Sequence, residues 1–213
     1  MLSFDAQLEM GRQAENLIDA WLRSRGNSTL HVYETEHNDG FGPRFFTKHC
    51  KLVAPDILVF TGKHGHIYWC ETKNKSHCTW YGKGRYWETG IDVRHYEQYK
   101  KVSVVSGCPT WLMFYHQNAV PREGDRKYMC PEVCPTGLFG GDLATLANTE
   151  SHRYKSNKGH MVYWAVPSDG ILLPSGVVPL RKLASVEQVR TAQAIQAVKS
   201  QHKNNRDVAL SAA

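Results

Sequence analysis

The chain has 213 residues, 41% hydrophobic and 22% charged, a composition typical of a globular domain with a real core. No apolar run approaches the roughly 20 residues a membrane helix needs, and the N-terminus has no basic stretch leading into an apolar one. A membrane role and a secretory leader are set aside and a cytoplasmic protein is expected. Lys and Arg number 26 against 20 Asp and Glu, a net charge of +6, which suits a polyanionic partner without requiring one.

Met10, Ala14, Leu17, Ile18, Trp21 and Leu22 recur at helical spacing and predict an amphipathic helix over 5–25, stopped by Gly26. Glu15 falls on the edge of that apolar stripe, not on its solvent side. Residues 30–36 and 44–53 have strand character, separated by turn-rich residues 37–43. Residues 55–60 and 66–73 predict a hairpin around Thr61–Gly65. A Gly-rich, aromatic and basic loop follows over 76–90. Next comes a helix over 92–106, with Asp92 as N-cap and Gly107 just past its end, then a buried-type strand over 110–116. Residues 117–160 read as loop-rich with one short helix. Residues 160–166 and 170–173 predict another hairpin, and 185–202 a helix, after which the terminus frays. This order predicts an α/β fold, a mixed central β-sheet flanked by helices. Residues 1–116 form the core and 117–213 a loop-rich extension packed on the same domain.

The chemistry concentrates in the first hairpin. If it is symmetric about a turn centred between Lys63 and His64, Asp56 stands opposite Glu71. Side chains alternate along a strand, so Glu71 and Lys73 share a face, and Asp56 joins them. Directly opposed Cβ atoms are about 5 Å apart. Two carboxylates that close raise each other's pKa unless a cation sits between them. Hard oxygen ligands at that spacing suit Mg²⁺ or Mn²⁺, with water and phosphate oxygens filling the remaining positions. Lys73 would then stabilise charge on a phosphoryl oxygen. A one-residue slip would move Asp56 to the other face.

Pro55-Asp56, a gap, then Glu71-Thr72-Lys73 resembles the PD-(D/E)xK nuclease superfamily over roughly residues 5–116. The resemblance implies a restriction-endonuclease-like αβββαβ core with Asp56, Glu71 and Lys73 as catalytic residues. It adds Glu15 on the first helix as a further metal ligand beside Asp56 and Glu71. From the helix after the hairpin it implies Gln98, and less directly His95 or Tyr99, near the scissile phosphate. Val102, four residues after Gln98, departs from the Gln-x-x-x-Tyr pattern of the recombination-exonuclease branch and points away from a processive exonuclease. The implied activity is Mg²⁺-dependent hydrolysis of DNA, as an endonuclease. A non-catalytic nucleic-acid-binding protein on the same fold and an exonuclease are the alternatives.

Beyond Lys73, the cations Lys75, Lys83 and Arg85 alternate with Trp80, Tyr81, Tyr86 and Trp87. Cations pair with phosphates and flat rings stack on exposed bases, so Lys75, Lys83, Arg85, Trp80 and Tyr81 are expected nucleic-acid contacts, with His95 and Tyr99 added by the resemblance. Trp80 and Trp87 read equally well as core anchors. The six cysteines form no compact framework and are expected to be free thiols. Cys130 and Cys134 are half of a zinc site, completed by Cys50, His49, His152 or His160, or are unconnected with metal. The C-terminal helix packs on the core or pairs with a second copy as a homodimer.

Overall fold

Helix α1 (Phe4–Ser24) forms where the apolar stripe predicts it, and the stripe is spent on the core. Ala14 and Ile18 are fully buried, Leu22 nearly so, and a fully buried Ile or Leu contributes roughly 1.5–3 kcal/mol. The helix ends at Gly26, whose φ of 84° a residue without Cβ adopts freely. The computed structural model describes residues 4–32, 44–48, 50–62, 65–156 and 159–211. The turn expected at 37–43 and the turn centre at Lys63 and His64 lie outside them.

After α1 come β1 (Asn27–His31), the short strands β2 (Arg44–Phe46) and β3 (Lys51–Val53), and the hairpin β4 (Ile57–Thr61) and β5 (Ile67–Lys75). Strands β6 (Thr79–Tyr81) and β7 (Tyr86–Asp92) precede α2 (Val93–Ser106) and β8 (Thr110–His116). The rest of the chain supplies the single turn α3 (Glu123–Arg126), β9 (Gly137–Asp142), α4 (Leu143–Asn148), β10 (His152–Ser156), β11 (Gly159–Ala165), β12 (Arg181–Ala184) and α5 (Val186–Ser211).

The main sheet runs β1-β4-β5-β8-β9-β12. Only the β5–β8 contact is parallel, so the sheet is mixed. A second sheet runs β10-β11-β7-β6, and β2 and β3 pair as a ribbon. One face of the main sheet packs on α1 and α5 through Ile18, Cys70, Met113, Leu138 and Val189. The other packs on α2, α4 and the second sheet through Tyr96, Leu112, Phe114, Leu146 and Trp164. The order α1, β1, β4, β5, α2, β8 is the αβββαβ order that the resemblance implies.

Four expectations are corrected. Residues 76–90 are not a loop: cross-strand pairs Trp80–Trp87 and Tyr81–Tyr86 zip β6 to β7 around a tight turn. Residues 137–142 form strand β9, not loop or helix, because alternating Leu138 and Phe139 insert into opposite cores. Strand β11 pairs with β10 and β7, and residues 170–173 form no strand. Helix α5 continues to Ser211 past the expected fraying point. The main sheet also does not stop at residue 116, since β9 and β12 extend it.

One residue belongs to both the second sheet and the start of α2. Asp92 pairs with Met161 of β11 and also caps α2, its carboxylate accepting the Arg94 N–H at 2.7 Å. Gly107 closes the helix in a left-handed conformation, φ 67°.

Candidate active site

The β4–β5 ladder pairs Ile57 with Cys70 and Leu58 with Trp69. Continued by one residue, this register sets Asp56 against Glu71, as the symmetric turn predicts. Both acids are buried, Asp56 4% and Glu71 1% exposed. Their side chains start from the face of the sheet that α2 covers, shared with Trp69 and Leu58.

Each carboxylate is held by neighbours. Asp56 Oδ2 accepts the Thr72 backbone N–H at 2.8 Å and the Thr72 hydroxyl at 3.0 Å. Thr72 projects to the opposite face from Glu71, so the Asp56 carboxylate lies at the rim between faces, within reach of α1. Glu71 Oε1 accepts the Tyr99 hydroxyl at 2.6 Å and pairs with the Lys73 ammonium. Glu71 Oε2 is buried and has no hydrogen-bond partner among the described residues. Glu15 stands half-buried on α1 and feels Asp56, Lys73, His31 and Arg12.

The electrostatics follow from this crowding. Burial, and then the charge of Glu71, push Asp56 up to about 7. Burial, and then Asp56, push Glu15 up to about 7. Burial works against the charge on Lys73, but Glu71 and Asp56 outweigh it and hold the ammonium above its ordinary value. One lysine thus faces three acidic side chains, and the site is short of positive charge near neutral pH.

That shortage is what a divalent cation would relieve, and the donor set is hard carboxylate oxygen. Among the described residues no three His, Cys, Asp or Glu side chains form a cage for an ion. The arrangement therefore fits Mg²⁺ or Mn²⁺, held by one or two carboxylates with water and phosphate oxygens completing the shell, and not a fully protein-caged metal. Glu71 Oε2, left without a hydrogen bond among the described residues, and the carboxylates of Asp56 and Glu15 are the oxygens from which such an ion could draw its one or two protein ligands.

Helix α2 meets this site with two residues. Tyr99, expected against nucleic acid, is instead buried at 2% exposure with its hydroxyl on Glu71. Its role is to position the acid. His95 is exposed, stands near enough to Lys73 to feel its charge and lies 6.1 Å, ring to ring, from Tyr99. Gln98 is turned elsewhere: its carboxamide oxygen accepts the Val53 N–H at 3.3 Å and fastens α2 to β3.

The aromatic and basic stretch divides in two. Trp80 is buried, donates its indole N–H to the Tyr128 carbonyl at 3.1 Å and packs on Trp87 at 5.1 Å, so it is a core anchor and not a stacking platform. Tyr81 is stacked on His152 at 4.3 Å. Lys83 and Arg85 are exposed at the hairpin tip, and Lys75 sits at the end of β5 on the Glu71–Lys73 face. Neither Thr72 nor the Tyr99–Glu71 bond is evident from the sequence. A short β-branched residue after Glu71 carries no distinctive signal, and a helix-to-strand contact is not encoded in local spacing.

Cys134 does not meet the expected zinc partners. Its thiol sulfur accepts the Cys78 N–H at 3.3 Å, and Cys78 Sγ lies 3.4 Å from His116 Nδ1. All six cysteines are free thiols, and His49 lies outside the described residues.

The fold and site together define a mixed α/β protein with a cluster of buried acids and a lysine on its central hairpin. No family model and no curated protein matches the chain. Among solved structures it is similar to the 1.6 Å structure of Hjc, a Holliday junction resolvase from Archaeoglobus fulgidus, at 12% identity and a TM-score of 0.40, covering 73% of this chain and 83% of that one.

Proposed function

We propose that the protein is a divalent-metal-dependent nuclease that cuts the phosphodiester backbone of DNA internally. The observation that carries this reading is the convergence of buried Asp56 and Glu71 with Lys73 on one hairpin, with Glu15 on α1 near enough to feel the charges of Asp56 and Lys73. Mg²⁺ or Mn²⁺, when bound, neutralises charge on a phosphate and lowers the pKa of an attacking water. The protein's own groups do the rest. Asp56, Glu71 and Glu15 supply ligand oxygens, Thr72 and Tyr99 fix the first two, and Lys73 places a positive charge where a phosphoryl oxygen gains negative charge. Burial excludes bulk water, which strengthens each of these interactions.

The test is cleavage of linear, circular and branched DNA in Mg²⁺ and in Mn²⁺. Asp56→Asn, Glu71→Gln and Lys73→Ala are each expected to lower kcat by roughly 100-fold or more while the circular-dichroism spectrum stays that of the wild type. Full activity in Glu71→Gln would remove this site from consideration. Nicking of closed circles distinguishes internal cutting from end-dependent digestion.

A further inference from the structure

We propose that Lys75 and Arg122 form a second phosphate-binding subsite, one strand repeat beyond Lys73, that grips the backbone phosphate next to the one at Asp56, Glu71 and Lys73. The proposal rests on the nuclease reading of that site and adds a residue from outside the hairpin.

Strand β5 puts residues 71, 73 and 75 on one face, so Lys75 follows Lys73 by two residues, about 7 Å along the strand. That step is comparable to the spacing of successive phosphates along a nucleic-acid strand. Lys73 has Glu71 as counter-ion. Lys75 and Arg122 form no ion pair with any described carboxylate. Lys75 is half-buried and close enough to Lys73 and Arg122 to feel both charges; burial, then those two cations, bring it down to about 8. Asp125 lies near enough to Arg122 to feel its charge, but the two form no ion pair, and the Asp125 carboxylate accepts a hydrogen bond from the Trp80 backbone. His116, fully buried beside Lys75, is pushed by burial and by Lys75 down to about 3 and is neutral. Lys75, partly desolvated beside two other cations and in no ion pair with a described carboxylate, gains from an external anion, and the exposed Arg122 is open to share it.

Arg122 is not there by accident of a loose loop. The Asp125 N–H donates to the Arg122 carbonyl at 3.0 Å and the Tyr128 N–H to the Asp125 carbonyl at 2.9 Å. The Asn118 N–H reaches the Ser76 carbonyl at 3.3 Å, directly after Lys75, and the Trp80 indole holds the Tyr128 carbonyl. The segment before β9 is thereby fastened to both ends of the Ser76–Trp80 stretch, and Arg122, between the two fastenings, is carried near enough to the end of β5 for its charge to act on Lys75. An Arg fork beside a Lys point charge is a pairing suited to a phosphodiester oxygen pair.

The experiment is fluorescence anisotropy of a labelled mixed-sequence duplex, DNA in one arm and RNA in the other. The full chain is used in Ca²⁺ or EDTA, across about 50–200 mM salt. Lys75→Gln and Arg122→Gln are each expected to reduce the slope of log K against log salt by about one, with thermal melting at or above the wild-type value. Lys75→Met, which keeps the apolar stem, replaces Lys75→Gln if the latter does not fold. Slopes unchanged with both polymers overturn the subsite, and cleavage lost in Asp56→Asn would still leave the nuclease reading standing. Reduced slopes in a protein that cleaves nothing in Mg²⁺ or Mn²⁺ would keep the subsite and end the nuclease reading.

Discussion

Asp56 and Glu15 carry protons in the folded state that their free counterparts would have lost. A carboxyl raised from its ordinary value of about 4 binds its proton more tightly when folded than when unfolded. Between roughly pH 4 and the folded values of about 7, the native state therefore holds more protons, and stability is full below the unfolded pKa and lost as pH rises through the folded one. In EDTA the protein is expected to lose stability across that window, by at most about 1.4 kcal/mol per pH unit for each proton released, with the half-buried Glu15 contributing the smaller share because solvent screens it. Added Mg²⁺ restores part of the loss, and Asp56→Asn flattens the profile. Thermal melts at a series of pH values measure this, and a wild-type melting temperature that does not fall toward pH 7 would contradict the crowding described here. These acids were legible in the sequence because each depends on a short-range rule, the alternation of a strand about its turn or the edge of a helical stripe. Tyr99 and Arg122 were not, because each is brought to β5 by the docking of a distant segment.

Hairpin β6–β7 shows what local reading misses at the level of an element. Two glycines, two cations and a run of rings look like a loop, yet Tyr81 and Tyr86 pair across the turn at 5.4 Å and Trp87 is fully buried. Glycine has a different meaning further along β7. A Cβ on Gly90 would sit 2.3 Å from the Val162 carbonyl oxygen of β11 and 2.7 Å from Tyr163 Cδ1. A carbonyl inside a sheet cannot step aside, so Gly90→Ala is expected to cost about 1–3 kcal/mol by overpacking. Urea unfolding checks this as a lower midpoint with unchanged slope. Lys83→Ala with Arg85→Ala, both exposed, serves as the neutral reference, within about 0.5 kcal/mol of wild type.

For the molecule as a whole, the main sheet runs past residue 116, where the resemblance ends. Leu138, Phe139 and Val189 are fully buried and belong to the two cores that also contain Ile18 and Tyr96. A chain ending at His116 would leave β8 as a bare edge and strip its apolar side chains of cover. It is expected to collapse without fixed packing, seen as far-UV dichroism retained while the near-UV signal is lost. The boundary was not visible beforehand because Gly137–Asp142 is short and glycine-rich, and a strand is recognised there only from its neighbour. The double duty of Asp92 carries a consequence for how damage spreads. The pitch of α2, and with it the hydroxyl that steadies Glu71, is inherited from the partnership of β7 with β11. The small sheet is thus a distant brace for the chemistry. Lesions in β11 would surface as a slackened acid more than as a broken fold, and a search for inactive variants would return positions nowhere near Glu71.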